Sequence, residues 1–136
     1  MNAASPRRYT FSKTERLSSR KAIEALMEKG KTLNVSPFRL NWMFMEILSD
    51  APAQIAFSVP KRIFKRAVDR NRMKRLMRES YRKNKADLYP FLSDKNLQCA
   101  LLLYYSGKEL ISYQETEEKI KLILQRFAKI IVSHTE

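Results

Sequence analysis

The sequence predicts a single folded domain of the α+β class. Three segments place apolar residues at helical spacing, and three others carry the alternating or continuous apolar patterns of strands. No internal repeat or low-complexity linker separates these segments, and 44% of the residues are hydrophobic, enough for an ordinary core. Residues 1–10 are polar and basic, so we expect a flexible arm there and a folded domain over residues 11–136.

The first predicted helix covers residues 18–29. Ser18 or Ser19 can cap its start, and Gly30 supplies its end. Its apolar residues recur at helical spacing and are Ala22, Ile23, Leu26 and Met27.

Two strands are predicted after this helix. Residues 38–47 alternate between an apolar and a more polar face, and residues 33–35 can pair at the edge of that strand, beyond Pro37. Residues 54–59 form the next strand. Pro60 ends it and keeps the preceding residue out of helical geometry.

The second half of the chain adds two helices and one strand. A cationic helix is expected at residues 66–85, and residues 87–95, with Pro90 and two acids, are interpreted as a loop. Residues 97–105 are almost continuously apolar, as in a fully buried strand. Residues 113–131 carry an apolar stripe typical of an amphipathic helix.

The composition also limits the chemistry. Cys99 is the only cysteine, which excludes an internal disulfide, and His134 is the only histidine and lies near the chain end. With Gly30 and Gly107 as the only glycines, no glycine-rich phosphate loop can form. No spacing singles out a pair among the fourteen acids. We therefore expect no catalytic residue and no metal site in the protein.

We expect a cytoplasmic protein with no membrane partner. The longest unbroken apolar run, residues 99–105, is too short to cross a bilayer. Residues 1–20 lack the apolar core of a secretory signal.

Positive charge is concentrated in one stretch. Residues 61–85 contain twelve basic residues and two acids, which supplies +10 of the net charge of +13. On a helical wheel, Met73, Met77 and Tyr81 share one side, and the cations, Lys85 included, fill the other, with Arg70 near the boundary. Because ordinary solvated faces mix both signs of charge, this stretch predicts a nucleic-acid-binding surface. An anionic membrane or an acidic protein remains the alternative partner.

Residues 67–79, AVDRNRMKRLMRE, closely resemble the signature of the bacterial ribonuclease P protein component. The context agrees: Arg16 and Leu17 lie near the start, the first helix ends in Gly30, and a strand leads through basic residues into the signature. The resemblance covers roughly residues 11–131.

The resemblance implies a sheet of about four strands and three helices, with an unusual left-handed crossover that carries the cationic helix. It also implies a subunit that joins a catalytic RNA to remove the 5′ leader of precursor tRNA. In that family the RNA performs the hydrolysis with Mg²⁺ ions, so the isolated protein is expected to bind no cofactor and to need no protein partner.

Two groups of site residues follow. The basic helix and the residues before it are expected to bind the catalytic RNA through Lys61, Arg62, Lys65, Arg66, Arg70, Asn71, Arg72, Lys74, Arg75, Arg78 and Arg82. A cleft between the first helix and the sheet is expected to hold the leader through Ile23, Met27, Arg39, Asn41 and Met43.

The chain departs from the family pattern in this cleft. Ile23 and Met27 stand where relatives often have phenylalanine, and Asn41 stands where an aromatic residue is common. Stacking on a leader base would then fall to Trp42 or Tyr104. Core packing is the favoured role of Ile23, Met27, Trp42 and Phe11, because apolar stripes usually face the core.

A second departure precedes the signature. A glycine that is common there is absent, and residues 63–66 fill the stretch, so the connection can follow a different path.

Two other functions remain open. A structural RNA-binding protein of the ribosomal type would share the basic helix but would have no leader cleft. A self-sufficient nuclease would cleave precursor tRNA without a catalytic RNA.

Overall fold

The computed structural model describes residues 11–47 and 49–134. Its sheet has four strands in the order β1-β2-β4-β3. Their bounds are β1 Lys31–Val35, β2 Phe38–Phe44, β3 Ala53–Ser58 and β4 Cys99–Tyr105. β2 pairs antiparallel with both β1 and β4, whereas β3 and β4 are parallel.

The four helices of the described residues are α1 Arg20–Lys29, α2 Ala67–Asn84, α3 Tyr89–Asp94 and α4 Tyr113–Ser133. Short 3-10 turns cover Lys13–Glu15 and Lys85–Asp87. Because β3 and β4 are adjacent and parallel, α2 lies in the crossover between them, which is where the resemblance places the cationic helix. The predicted α+β class with four strands is confirmed. The predicted arm at residues 1–10 lies outside the described residues.

The caps of α1 agree with the sequence prediction. Ser19 is the N-cap, and its Oγ accepts a hydrogen bond from the Ala22 N–H at 3.2 Å. Gly30 is the C-cap, where a Cβ atom would collide with the Leu26 carbonyl oxygen. Glycine is therefore required at the sharp passage from α1 into β1.

β2 is shorter than predicted. The expected strand ran to residue 47, but the ladder with β4 ends at the Phe44–Cys99 pair. Beyond it, the Gln98 side-chain carbonyl accepts the Ile47 N–H at 3.2 Å, in place of a backbone partner.

The loop predicted at residues 87–95 is wrong, because it contains α3. Pro90 lies in the first turn of α3, where a proline is favoured because its missing N–H leaves no helical bond unmade. Leu88 and Leu92 are fully buried four residues apart, so they pack the segment against the core.

The two faces of the sheet are covered unequally. The main core joins one face to α2 and α4 and includes Leu40, Leu101 and Phe127. On the other face, a small cluster of Leu17, Ala22, Leu26 and Ala100 attaches α1. Part of this second face remains open, and we call it the α1 face. No helix of residues 11–47 and 49–134 combines the length and apolar character that a membrane span needs.

Candidate RNA interface

Helix α2 is fixed through one side. Met73, Met77 and Tyr81 are completely buried, as the helical wheel predicts, and Leu76 packs beside them. Burial of these side chains holds the helix in place even though its cations at i, i+4 spacing repel one another. The opposite side is therefore presented to solvent as a fixed cationic surface.

Seven of the eleven predicted RNA-binding residues lie on α2, and the other four lie in the segment just before it. Arg70, Lys74 and Arg82 are half-buried. The exposed members are Lys61, Arg62, Lys65, Arg66, Asn71, Arg72, Arg75 and Arg78. We call these eleven residues the basic surface.

Arg70 also has a structural role. Its Nη1 donates hydrogen bonds to the carbonyl oxygens of Phe64 at 2.6 Å and Lys65 at 3.1 Å. The Phe64 N–H in turn bonds to the Pro60 carbonyl oxygen at 3.1 Å, and the Phe64 side chain is buried in the main core. Residues 63–66, where the glycine of the family pattern is absent, are therefore part of a turn. Hydrogen bonds from Arg70 and to Pro60, together with the buried Phe64 ring, hold this turn in place.

Arg82 is partly neutralised by its own helix. Its Nε lies 2.6 Å from Glu79 Oε1, and this hydrogen bond lowers the pKa of the Glu79 carboxyl below its ordinary value. Because Glu79 stays ionised at neutral pH, positive charge on the basic surface is concentrated toward the start of α2.

Lys85 does not belong to the basic surface, contrary to the sequence prediction. It is buried, and its Nζ lies 2.6 Å from Oε2 and 2.9 Å from Oε1 of Glu15. The Tyr89 hydroxyl donates to the same carboxylate at 2.7 Å and lies 2.8 Å from the Tyr81 hydroxyl. Glu15 and Lys85 are seventy residues apart, so no local pattern reveals this pair.

The α1 face carries the predicted leader residues of the sheet. Arg39, Asn41 and Met43 lie directly opposite Tyr104, Leu102 and Ala100 of β4, and residues paired in this way share a face. α1 covers the Met43 end of this row. At the other end Arg39 is exposed, with its guanidinium carbon 4.6 Å from the centre of the Tyr104 ring.

The remaining leader candidates differ in accessibility. Ile23 is half-buried and packs beside Met43 against the small cluster. Met27 is 66% exposed, so the core packing that the sequence favours for this residue is wrong. Asn41 is 9% exposed, and its Oδ1 has no hydrogen-bond partner in the described part of the chain.

Of the two aromatic residues considered for base stacking, only Tyr104 is suitably placed. Trp42 is on the opposite face, 7% exposed, with its ring 5.1 Å from that of Phe127. Core packing is therefore confirmed for Trp42. Tyr104 is half-buried on the α1 face beneath Arg39.

The side chains that could supply catalysis are placed apart from this interface. Cys99 is fully buried, and burial raises the pKa of its thiol well above the ordinary value. The His134 ring lies 4.5 Å from the Phe44 ring at the end of α4. Within the described ranges, no group of three His, Cys, Asp or Glu residues is arranged to hold a metal ion.

Comparisons with a family model and with curated relatives both point to ribonuclease P. A family model described as Ribonuclease P matches residues 11–128. The ribonuclease P protein component of Porphyromonas gingivalis (strain ATCC 33277) is 34% identical over 124 residues, covering 91% of this chain and 90% of the relative. That of Chlorobium phaeobacteroides is 33% identical over 122 residues, covering 82% and 84%.

Solved structures share the fold. The ribonuclease P protein of Staphylococcus aureus matches with a TM-score of 0.65 and 17% identity, covering 86% of this chain and 97% of that one. The protein from Thermotoga maritima matches with a TM-score of 0.66 and 21% identity, covering 82% and 96%. From the family model and these relatives, the chain belongs to the ribonuclease P protein family.

Proposed function

We propose that this chain is the protein subunit of ribonuclease P, the ribonucleoprotein that removes the 5′ leader from precursor tRNA. The observation that carries this proposal is the basic surface, whose cations are held outward by the buried side of α2. A fixed cationic surface binds a polyanion without first losing the entropy of ordering a helix. Arginine dominates it, and a guanidinium can bind two phosphate oxygens at once.

We assign bond cleavage and its Mg²⁺ ions to the catalytic RNA. This assignment rests on the family and on the side chains of the described residues, which offer phosphate ligands but no cluster of metal ligands. RNA phosphates supply the oxygen ligands that Mg²⁺ prefers. In this proposal the protein positions RNA and lowers repulsion between the two RNA chains by neutralising phosphates.

The α1 face is the proposed leader site. Arg39 supplies a charge for a phosphate and Tyr104 a ring for a base. Asn41 lies on the same face with its Oδ1 buried and unpartnered among the described residues. Met27, one helical turn after Ile23 on α1, is exposed and offers a flexible apolar side chain. These groups suit a single strand, whose bases are free to stack.

Cleavage assays test the proposed function directly. The purified protein is incubated with precursor tRNA at low Mg²⁺, with and without a bacterial ribonuclease P RNA. We expect specific 5′ cleavage only with the RNA, and stimulation of the RNA by the protein. Cleavage by the protein alone would identify a self-sufficient nuclease, and binding without stimulation would identify a structural RNA-binding protein.

A substitution of Met27 tests the leader site. Met27→Gln should weaken holoenzyme binding of leader-bearing precursor about threefold, because apolar contact with a leader base is lost. Affinity for mature tRNA should not change. The matched control is Leu122→Gln on α4, which removes another exposed apolar side chain. Equal losses for both substrates would contradict a role in leader binding.

A further inference from the structure

A cavity of about 490 Å³ opens at the outer edge of β3, between the basic surface and the α1 face. β3 pairs with β4 on its inner edge, and on its outer edge Ile55 forms an isolated bridge with Arg16. The cavity lies beside this bridge. Its size falls within the range of pockets that hold small ligands, about 300–1000 Å³.

Aromatic rings and arginines line the cavity as two pairs. The Arg16 guanidinium carbon lies 5.8 Å from the centre of the Phe11 ring, and that of Arg78 lies 5.9 Å from the Phe57 ring. The two rings are 5.9 Å apart at an interplanar angle of 64°. Both rings are half-buried, and both arginines are exposed. The rings are therefore held in place while the guanidinium groups remain accessible.

The charge of the lining selects for an anion. Arg16 and Arg78 are its charged residues, and no acidic residue lines the cavity. Guanidinium groups next to aromatic rings match the two parts of a nucleotide, since phosphate binds to the cation and a base stacks on a ring or a guanidinium plane.

The cavity also connects the two proposed RNA sites. Arg78 belongs to the basic surface. Ala56, on the opposite wall, is paired with Leu102, which is paired with Asn41 on the α1 face. The cavity therefore lies at the β3 edge between the two proposed RNA sites.

We propose that this cavity binds one unpaired nucleotide of RNA, with its base against Phe11 and Phe57 and its phosphate between Arg16 and Arg78. The inference rests on the proposed function and adds a nucleotide site to it. The nucleotide belongs either to the precursor leader or to the catalytic RNA, and the experiment distinguishes these sources.

The test uses the reconstituted holoenzyme with Arg16→Gln and, separately, Phe11→Leu. Arg16 is exposed, and Leu retains apolar packing at position 11, so both variants keep the fold, as thermal unfolding checks. Arg126→Gln on α4 is the matched control for lost charge. Affinities for precursor tRNA, for mature tRNA and for the catalytic RNA are measured for each variant.

If the cavity holds a nucleotide of the leader, both variants should bind the precursor about tenfold more weakly and mature tRNA as tightly as the wild type does. If it holds a nucleotide of the catalytic RNA, affinity for the catalytic RNA should fall by a similar factor instead. Either result supports nucleotide binding in the cavity, provided that the Arg126→Gln control does not show it. If both variants have the same affinities as that control, the proposal is overturned. Wild-type protein that fails to stimulate the RNA would instead refute the proposed function itself.

Photocrosslinking gives an independent readout. 4-Thiouridine is placed in the leader of one preparation and in single-stranded segments of the catalytic RNA in another. Crosslinks from one of them to peptides that contain Phe11 or Phe57 are expected. If crosslinks form elsewhere on the protein but skip both peptides in both preparations, the cavity does not hold a nucleotide.

Discussion

Replacing Arg66, Arg72 and Arg75 together with glutamine should weaken binding to the catalytic RNA by about 10²–10³-fold at about 0.1 M salt. Each arginine that neutralises a phosphate releases condensed counterions, and this release is a main source of affinity. The slope of log affinity against log salt should therefore fall in magnitude by about 2–3. Titrations of labelled RNA across a salt series measure both quantities.

These three positions were chosen for their exposure. All three side chains are exposed, and glutamine has a helix propensity close to that of arginine, so α2 should persist. Arg70 is left intact because its guanidinium holds the turn before α2, and its loss would mix folding with binding.

A charge-matched control separates local contacts from net charge. Lys121, Arg126 and Lys129 are exposed on α4, and their replacement by glutamine removes the same three charges. We expect less than about a threefold loss of affinity, because long-range attraction is largely screened at this salt concentration. Equal losses for the two triple variants would show that only net charge matters, which would contradict a defined RNA interface on α2.

Much of the fold could be predicted from the sequence because its elements are long and strongly patterned. The apolar stripe of α4 and the continuous apolar run of β4 each correspond to an observed element, with ends shifted by a few residues. α3 cannot be predicted in this way because it is only six residues long, too short for its period to stand out against Pro90 and the nearby acids.

The functional regions, like the fold, contain parts that the sequence could predict and parts that it could not. The basic surface could be predicted because exposure on a helix follows from its period and needs no knowledge of other elements. The Glu15–Lys85 ion pair could not be predicted, since it joins residues distant in the chain. The cavity at the β3 edge was missed for the same reason, because Phe11, Phe57 and Arg78 come from three separate segments.

The Glu15–Lys85 ion pair leads to the second large prediction, which concerns stability. Glu15→Gln should lower the free energy of unfolding at neutral pH by about 3–5 kcal/mol, because it removes the carboxylate that compensates the charge of the buried Lys85 ammonium. The side chains of this pair are only 7% and 9% exposed. Urea denaturation of the free protein measures the loss.

The Arg82–Glu79 ion pair is a control with the same contact distance. Its contact is also 2.6 Å, but its side chains are 28% and 45% exposed. Glu79→Gln should therefore cost less than about 1 kcal/mol, since water already screens this pair. Similar losses for Glu15→Gln and Glu79→Gln would show that burial does not determine the contribution.

The pH dependence gives a further check. Burial raises the pKa of Glu15, but hydrogen bonds from Lys85, Ser12 and Tyr89 outweigh it and hold the pKa below its ordinary value of 4.5. The unfolded state therefore binds the proton more readily, and the contribution of Glu15 is complete above pH 4.5 and is lost as the pH falls through the folded pKa. The stability difference between wild type and Glu15→Gln should shrink on acidification. A constant difference down to strongly acidic pH would show that the carboxylate charge is not what stabilises this contact.

Replacing both partners separates the cost of removing one charge of the pair from the value of the pair. Glu15→Met with Lys85→Met removes both charges and keeps apolar volume, so the double variant should recover a large part of the stability lost in Glu15→Gln. The Tyr89 hydroxyl loses its acceptor in this variant, which limits the recovery. A double variant as unstable as Glu15→Gln would mean that the pair itself, rather than the cost of a buried ammonium that has lost Glu15, fastens residues 13–15 to the end of α2.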